Sequence, residues 1–422
     1  MQLPSRLPHF NMNMNINLGR RGGADVVGLD VQPGFVAAVK ARVNGSILAE
    51  EAASMPLPAD AVRDGEVMDQ DALGDVLREL FASSGLSKRV RVGVANQRTV
   101  LRTLELPPIT DRKELAAAVG FQAQEQVPMP LSNAVLDFHP LGIVETPAGP
   151  RQRVVLVAAQ RDMVEKLLAA VRRAGLTPEG VDLSAFALIR SLYHADPEQT
   201  GRVLYLNVDG LTNLAIAEGP ICRFTRVVGS GLEGMAIELA ERRGIALVDA
   251  RSLLSAVDLT AAQAPAPQPA AEVAEAPAEE AAAEGESHGA TDGEEPAPEA
   301  VEEPVAEDSM SYEELVTVDE DENSEVDAEV LSVLENGIRD ISGEVRNSLD
   351  FHRSQEGGGD VSHILLSGSA QDIPGFAEAL QGALGVEVQS AQVGLVDGHL
   401  SDAVSPHRLA VATGLAALEA PE

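Results

Sequence analysis

A chain of 422 residues with 45% hydrophobic content can build about two to four compact domains. With no Trp, nine Phe and three Tyr, their cores must be mainly aliphatic. The net charge of −35 repels phosphate backbones and anionic lipid, and the few rings leave little for base stacking, so no nucleic-acid partner is expected. The lone Cys222 excludes an intramolecular disulfide and a cysteine-rich zinc site. No apolar run reaches the roughly 18 residues of a spanning helix, and residues 1–23 lack a signal-peptide core. The expected place is therefore the cytoplasm.

Residues 1–23 carry Arg6, Arg20 and Arg21 with no acid and read as a flexible arm. Val26–Asp30 and Phe35–Ala41 then form a predicted hairpin that Ser46–Ser54 extends. In Asp69–Ser83, Leu73, Val76, Leu77, Leu80 and Phe81 recur at i, i+3, i+4, i+7 and i+8, one buried helix face. Val90–Ala95 and Val100–Leu106 read as strands. Asp111 can cap a helix with Glu114 in its first turn, and that helix must stop before Pro128. Val135–Leu141 and Val154–Ala159 are predicted strands, and Asp162–Arg173 a helix closed by Gly175. Residues of about 88–160 thus form a small α+β insert.

Val203–Asn207, Leu214–Ala217 and Ile221–Val227 repeat the strand order of residues 26–54 and lead into a helix over 232–243. The chain therefore has two related halves. Twenty-three of the 66 Asp and Glu fall between 261 and 329, with no Lys or Arg. This Ala/Pro/Glu-rich stretch reads as a disordered insertion, either a solvated spacer or a tail for a basic partner, with Tyr312–Val318 the segment apolar enough to dock. A long helix over 330–351, a strand over 363–367, a helix near 375–384 and a small-residue helix over 408–418 complete the chain.

Two halves of this kind resemble the α/β actin-like fold of sugar kinases, Hsp70 and FtsA. Val92–Leu141, with V-P-M-P at Val127–Pro130 and V-L-D-F at Val135–Phe138, is similar to the insert of the PilM family of type IV pilus assembly. Gly28-Leu29-Asp30, Val181-Asp182-Leu183, Ile341–Phe351, Leu366–Gly375 and Ala412–Leu415 fall in that family's order. The resemblance implies a two-domain actin-like (FtsA-type) architecture. The first domain would span 24–199 with the insert, and the second 200–260 plus 330–422, interrupted by the acidic insertion at 261–329.

The resemblance also implies ATP with Mg²⁺ as cofactor, held by Asp30, Gln32 and Gly34 in a first turn and by Asn207, Asp209, Gly210 and Thr212 in a second. Gly368 and Ser369 would lie against the nucleoside. The turns depart from the family pattern. Pro33 has no N–H for a phosphate, and Ala37 stands where the family has Lys, with Lys40 expected on the opposite strand face. Asn207 replaces an acid and cannot act as a base. Binding is thereby weakened or lost, and no catalytic residue or metal ligand set is assigned; an active ATPase that uses turnover as a switch is the alternative.

As for partners, the resemblance implies a cytoplasmic scaffold, peripheral to the inner membrane through the cytoplasmic tail of a PilN-like protein. The tail would lie along the strand Arg91–Leu106 with Asn96 and Arg102 as contacts. Pilus-assembly ATPases and a homo-oligomer are further implied associations. Ile16–Arg21 of the arm is similar to the partner's tail motif and is expected to compete for that groove.

Overall fold

The computed structural model describes residues 26–195, 201–262, 320–355, 357–396 and 404–417, without the side chains of 261–262 and 320–327. The arm with Ile16–Arg21, Tyr312–Val318 and residues 263–319 of the acidic stretch lie outside the described residues. Two sheets organise the rest. The first takes β1 (Val27–Gln32), β2 (Phe35–Val43) and β3 (Ile47–Pro56) as an antiparallel meander. A short ribbon, β4 (Val62–Arg63) and β5 (Glu66–Val67), precedes α1 (Gln70–Ser84), whose N-cap Asp69 accepts from the Asp71 and Ala72 N–H groups at 2.9 and 3.0 Å. β6 (Arg89–Val94) then lies parallel to β1.

Next comes the insert: β7 (Val100–Leu106), α2 (Arg112–Gln126), β8 (Ala134–Thr146) and β9 (Gly149–Gln160), in a separate three-stranded sheet of order β7-β9-β8. Leu104, Leu106, Leu115, Val119, Val154 and Leu156 give it a core of its own. The insert therefore begins near residue 100 rather than 88, because β6 pairs with β1 and cannot leave the first sheet.

α3 (Arg161–Arg173) packs back beside α1, and β10 (Thr177–Leu183) joins β6 before α4 (Ser184–Leu192). The second sheet opens with the meander β11 (Arg202–Val208), β12 (Thr212–Glu218) and β13 (Ile221–Val228). α5 (Leu232–Arg243), α6 (Leu247–Ala256) and α7 (Leu259–Ala262) follow. α8 (Glu320–Ser354) buries Val330, Val333, Leu334, Ile338, Ile341, Val345 and Leu349 along one face. It starts inside the expected insertion, so residues 320–329 are helical. β14 (Val361–Ser367), α9 (Phe376–Leu384) and β15 (Val388–Ser390) complete this half.

The sheet orders β3-β2-β1-β6-β10 and β13-β12-β11-β14-β15 match strand for strand, so the chain does contain two related halves. Residues 394–417 depart from the expected boundary. β16 (Gly394–Leu395) pairs with β3, and α10 (Ala410–Ala416) packs on β1 and α4 in the first half. The reason is contact between small residues. A Cβ on Gly28 would lie 1.9 Å from the Ala412 carbonyl oxygen, and one on Gly414 would lie 1.8 Å from that of Ala187. Two buried arginines close the end of α10: Arg91 Nη1 donates to Leu415 O at 2.7 Å, and Arg190 Nε to Gly414 O at 2.9 Å. Cations there complement the helix dipole.

Gly28→Ala and Gly414→Ala should each cost about 1–3 kcal/mol or more by forcing α10 off its bed. Chemical denaturation should show it, whereas Gly85→Ala at the open end of α1, with nothing near its Cβ, should cost less.

Candidate functional site in the cleft between the sheets

The β1–β2 and β11–β12 turns meet at the centre of the cleft. A Cβ on Gly210 would lie 2.1 Å from the Pro33 carbonyl oxygen, so the two turns are in direct backbone contact. Pro33, Gly210 and Glu233 line two cavities. One, of about 350 Å³, is walled by Phe35, Arg251, Ser369, Asp372 and Arg408. The other, of about 460 Å³, is walled by Asp60, Arg63, Asp64, Ile237 and Leu247.

The residues expected to hold nucleotide do come together, but they bond one another. Asp209 is 1% exposed; its Oδ1 accepts from Ser369 N at 2.7 Å and Ser369 Oγ at 2.6 Å, and its Oδ2 accepts from Asn207 Nδ2 at 2.9 Å. Asn207 Oδ1 accepts in turn from Ser367 Oγ at 2.8 Å. Asn207 is thus a cross-link between β11 and β14, as its amide chemistry allows and a carboxylate's would not. Thr212 Oγ1 donates to Ser230 O at 2.6 Å, so the expectation that it donates into the cleft is corrected. Gly368 has φ +96°, its N–H is taken by His407 O at 3.0 Å, and a Cβ there would lie 2.3 Å from Val208 O. Its smallness brings the turn against β11, not only against a ligand.

In the first turn Gln32 Nε2 lies 3.2 Å from both oxygens of Asp30, and each residue is 1% exposed. Burial, helped by the charge of Asp209, pushes the Asp30 carboxyl up to about 7, against the hydrogen bonds from Gln32 and the Val31 amide. Burial also raises Asp209, opposed by Arg408 and by its bonds to Ser369 and Asn207. Ala37 is fully buried, and Lys40 pairs with Glu50 and Glu51 at 3.4 and 3.0 Å, so no lysine enters the cleft from β2.

Three charged residues of the cleft were missed in the sequence. Arg408 lies 4.0 Å from Asp209 Oδ1 and stacks 4.4 Å over the Phe35 ring. Glu233 is 7% exposed in the first turn of α5, receives Arg251 Nε at 2.8 Å, and sits against Gly34.

Toward an Mg²⁺-nucleoside triphosphate this donor set offers carboxylates for the cation but little for the phosphates: Pro33 has no N–H, Asp209 and Asn207 are committed to Ser369 and Ser367, and no lysine enters from β2. Of the partner-facing expectations, Asn96 is corrected. It is 3% exposed, gives Nδ2 to Asp64 O at 2.6 Å and takes the Arg98 N–H at 2.7 Å. Arg102 is half-buried on β7 and returns Nη1 to Leu101 O at 2.8 Å.

The raised Asp30 carboxyl sets a pH dependence. Below about 3.8 folded and unfolded chains both carry its proton; between there and about 7 only the folded chain does, so stability falls as pH rises through this window. Asp30→Asn should raise the melting temperature at pH 8, by a gain on the order of a few kcal/mol, and the gain should vanish near pH 4.

The family model for type IV pilus assembly protein PilM matches residues 28–202. Among solved structures, the chain is similar to a PilM–PilN type IV pilus biogenesis complex, with 21% identity, 93% of this chain and 98% of that chain covered, and a TM-score of 0.63. It is also similar to the ethanolamine utilization protein EutJ from Carboxydothermus hydrogenoformans, with 14% identity, coverage of 94% and 90%, and a TM-score of 0.47. A match to MreB 5 of Spiroplasma citri bound to AMPPNP has 11% identity, coverage of 92% and 94%, and a TM-score of 0.44. Residues 28–202 thus carry the sequence pattern of the type IV pilus assembly protein PilM family, and the chain as a whole shares the fold of the PilM structure.

Proposed function

We propose that the chain is a cytoplasmic scaffold of type IV pilus assembly that holds the cytoplasmic tail of a PilN-like inner-membrane protein by strand addition at β7. The open edge of β7 carries this reading. In the insert's sheet β7 and β8 are the two edges, but β8 is interrupted at its middle by Pro140 and a register shift before Gly142, which blunt pairing. β7 has neither, buries Leu101, Leu104 and Leu106, and leaves Thr103 and Glu105 exposed. An extended tail can extend its backbone ladder, with alternate side chains read by the neighbouring surface. Among the described residues no helix is long and apolar enough to cross a membrane, so such a tail would tether the chain to one.

The cleft supports a scaffold over an ATPase. Asp209, Asn207 and Thr212 spend their hydrogen bonds within the protein, the two turns touch through Pro33 and Gly210, and no lysine enters from β2 to supply the charge that stabilisation of a phosphoryl group requires. Pilus ATPases and other copies of the chain remain natural further partners of a scaffold.

Addition of the synthetic tail of the PilN-like protein from the same organism should slow amide exchange over residues 100–106 and leave 134–146 unchanged. Binding without protection of β7 would overturn the docking mode. Calorimetric titration with Mg²⁺ and ATP should show no micromolar binding and no ADP release; steady turnover would restore the ATPase reading.

A further inference from the structure

The second sheet carries a further cavity at the opposite end of β11 from the Asp209 turn. Alternate residues of a strand share a face, so Val203 and Tyr205 on β11 and their neighbours His363 and Leu365 on β14, paired in register, project together toward the chain leaving α4. With Tyr193 and His194 from that chain they line a space of about 190 Å³. This is larger than the roughly 30 Å³ of one water and smaller than the roughly 300 Å³ at which drug-sized sites begin, so it suits a molecule of one ring. It shares no lining residue with the two cavities of the cleft.

The polar groups of this cavity are unspent. Tyr205 is 2% exposed, and among the described residues nothing hydrogen-bonds its phenol or that of Tyr193. Burial, with the Tyr193 phenol nearby, raises the Tyr205 hydroxyl above its ordinary pKa, so it stays neutral and able to donate. Each neutral imidazole, by contrast, is left with an acceptor. Ser362 Oγ spends its hydrogen on Arg202 O at 3.0 Å and therefore takes the His363 Nδ1–H at 2.9 Å, which leaves His363 Nε2 bare. His194 Nδ1 donates to Leu192 O at 2.9 Å and likewise leaves its Nε2. Among the described residues no Lys, Arg, Asp or Glu lines the cavity.

Two phenols that both donate and accept, beside two bare acceptors, complement neighbouring hydroxyl groups, each of which also donates and accepts. Leu192, Val203 and Leu365 supply an apolar wall for ring carbons. A phosphate or carboxylate would find no countercharge there. We propose that this cavity binds a small uncharged polyhydroxylated ring, a pyranose or a cyclitol, with Tyr205 and Tyr193 as its donors and His363 and His194 as its acceptors. The ligand bridges the end of α4 to β11 and β14, and the site stands independently of the scaffold reading.

The test titrates the full chain with two neutral probes, D-glucose and myo-inositol, and with glucose 6-phosphate, each followed by ligand-observed NMR. At least one neutral probe should bind with a millimolar or lower dissociation constant. Tyr205→Phe, which removes only the hydroxyl, should weaken that binding about tenfold, the loss of one hydrogen bond, at a level melting temperature. Glucose 6-phosphate should bind no more tightly than the neutral probes. Absence of binding by both neutral probes would overturn the proposal and leave the cavity to water. Binding that Tyr205→Phe leaves unchanged would place the ring elsewhere, and tighter binding of the phosphate would mean a charged ligand; either result overturns the proposal. Weaker binding with a matching loss of stability would also overturn it, by making the phenol a part of the fold alone. Should Tyr205→Phe not fold, Tyr193→Phe decides by the same criteria.

Discussion

The cleft is organised around one buried carboxylate. Asp209 receives three hydrogen bonds, two from Ser369 and one from Asn207, with the Arg408 guanidinium at the margin of ion-pair distance. A carboxylate taken out of water must be compensated on the spot, and these donors come from β11, the turn after β14 and the turn before α10. Satisfying it therefore fixes the β11–β12 turn, the turn after β14 and, through Arg408 and Phe35, the first hairpin. The same donors that stabilise Asp209 are then unavailable to a ligand.

The two halves share one strand order but are tied by unlike means. In the first, Gly28 and Gly414 let α10 approach β1 and α4 to backbone contact, and Arg91 and Arg190 hold its last carbonyls. Arg190 is itself neutralised by Asp182 at 2.5 Å, so the buried cations are compensated. In the second half, the long apolar face of α8 does the equivalent work by packing on the outside of the β11–β15 sheet. The insert adds a third small core, which leaves β7 as an open edge beside β13.

Most of the architecture was legible in the sequence because period, capping and turn chemistry are local. The meanders, the apolar face of α1, the cap at Asp111 and the duplicated order of 26–54 and 203–227 all appeared at nearly their observed bounds. What escaped was non-local. The pairing of β6 with β1 moved the start of the insert, and the return of β16 and α10 to the first sheet depended on Gly28 and Gly414 meeting residues some hundreds of positions away. At the site, Pro33, Ala37 and Asn207 announced the departure from a phosphate cradle. Asn96 was misread because nothing local shows that its amide closes on Asp64.

The sequence by itself determined that this is a duplicated α/β chain of actin-like type whose turns are short of phosphate donors, since the missing N–H of Pro33 and the lost charge at Asn207 belong to the residues themselves. That the turns touch, that Asp209 is paired by Ser369 and Asn207, and that Asn213 is buried without a partner emerge only from the folded arrangement. Those outcomes depend on which donors the fold brings within about 3 Å of a buried acceptor, a distance that no spacing along the chain encodes.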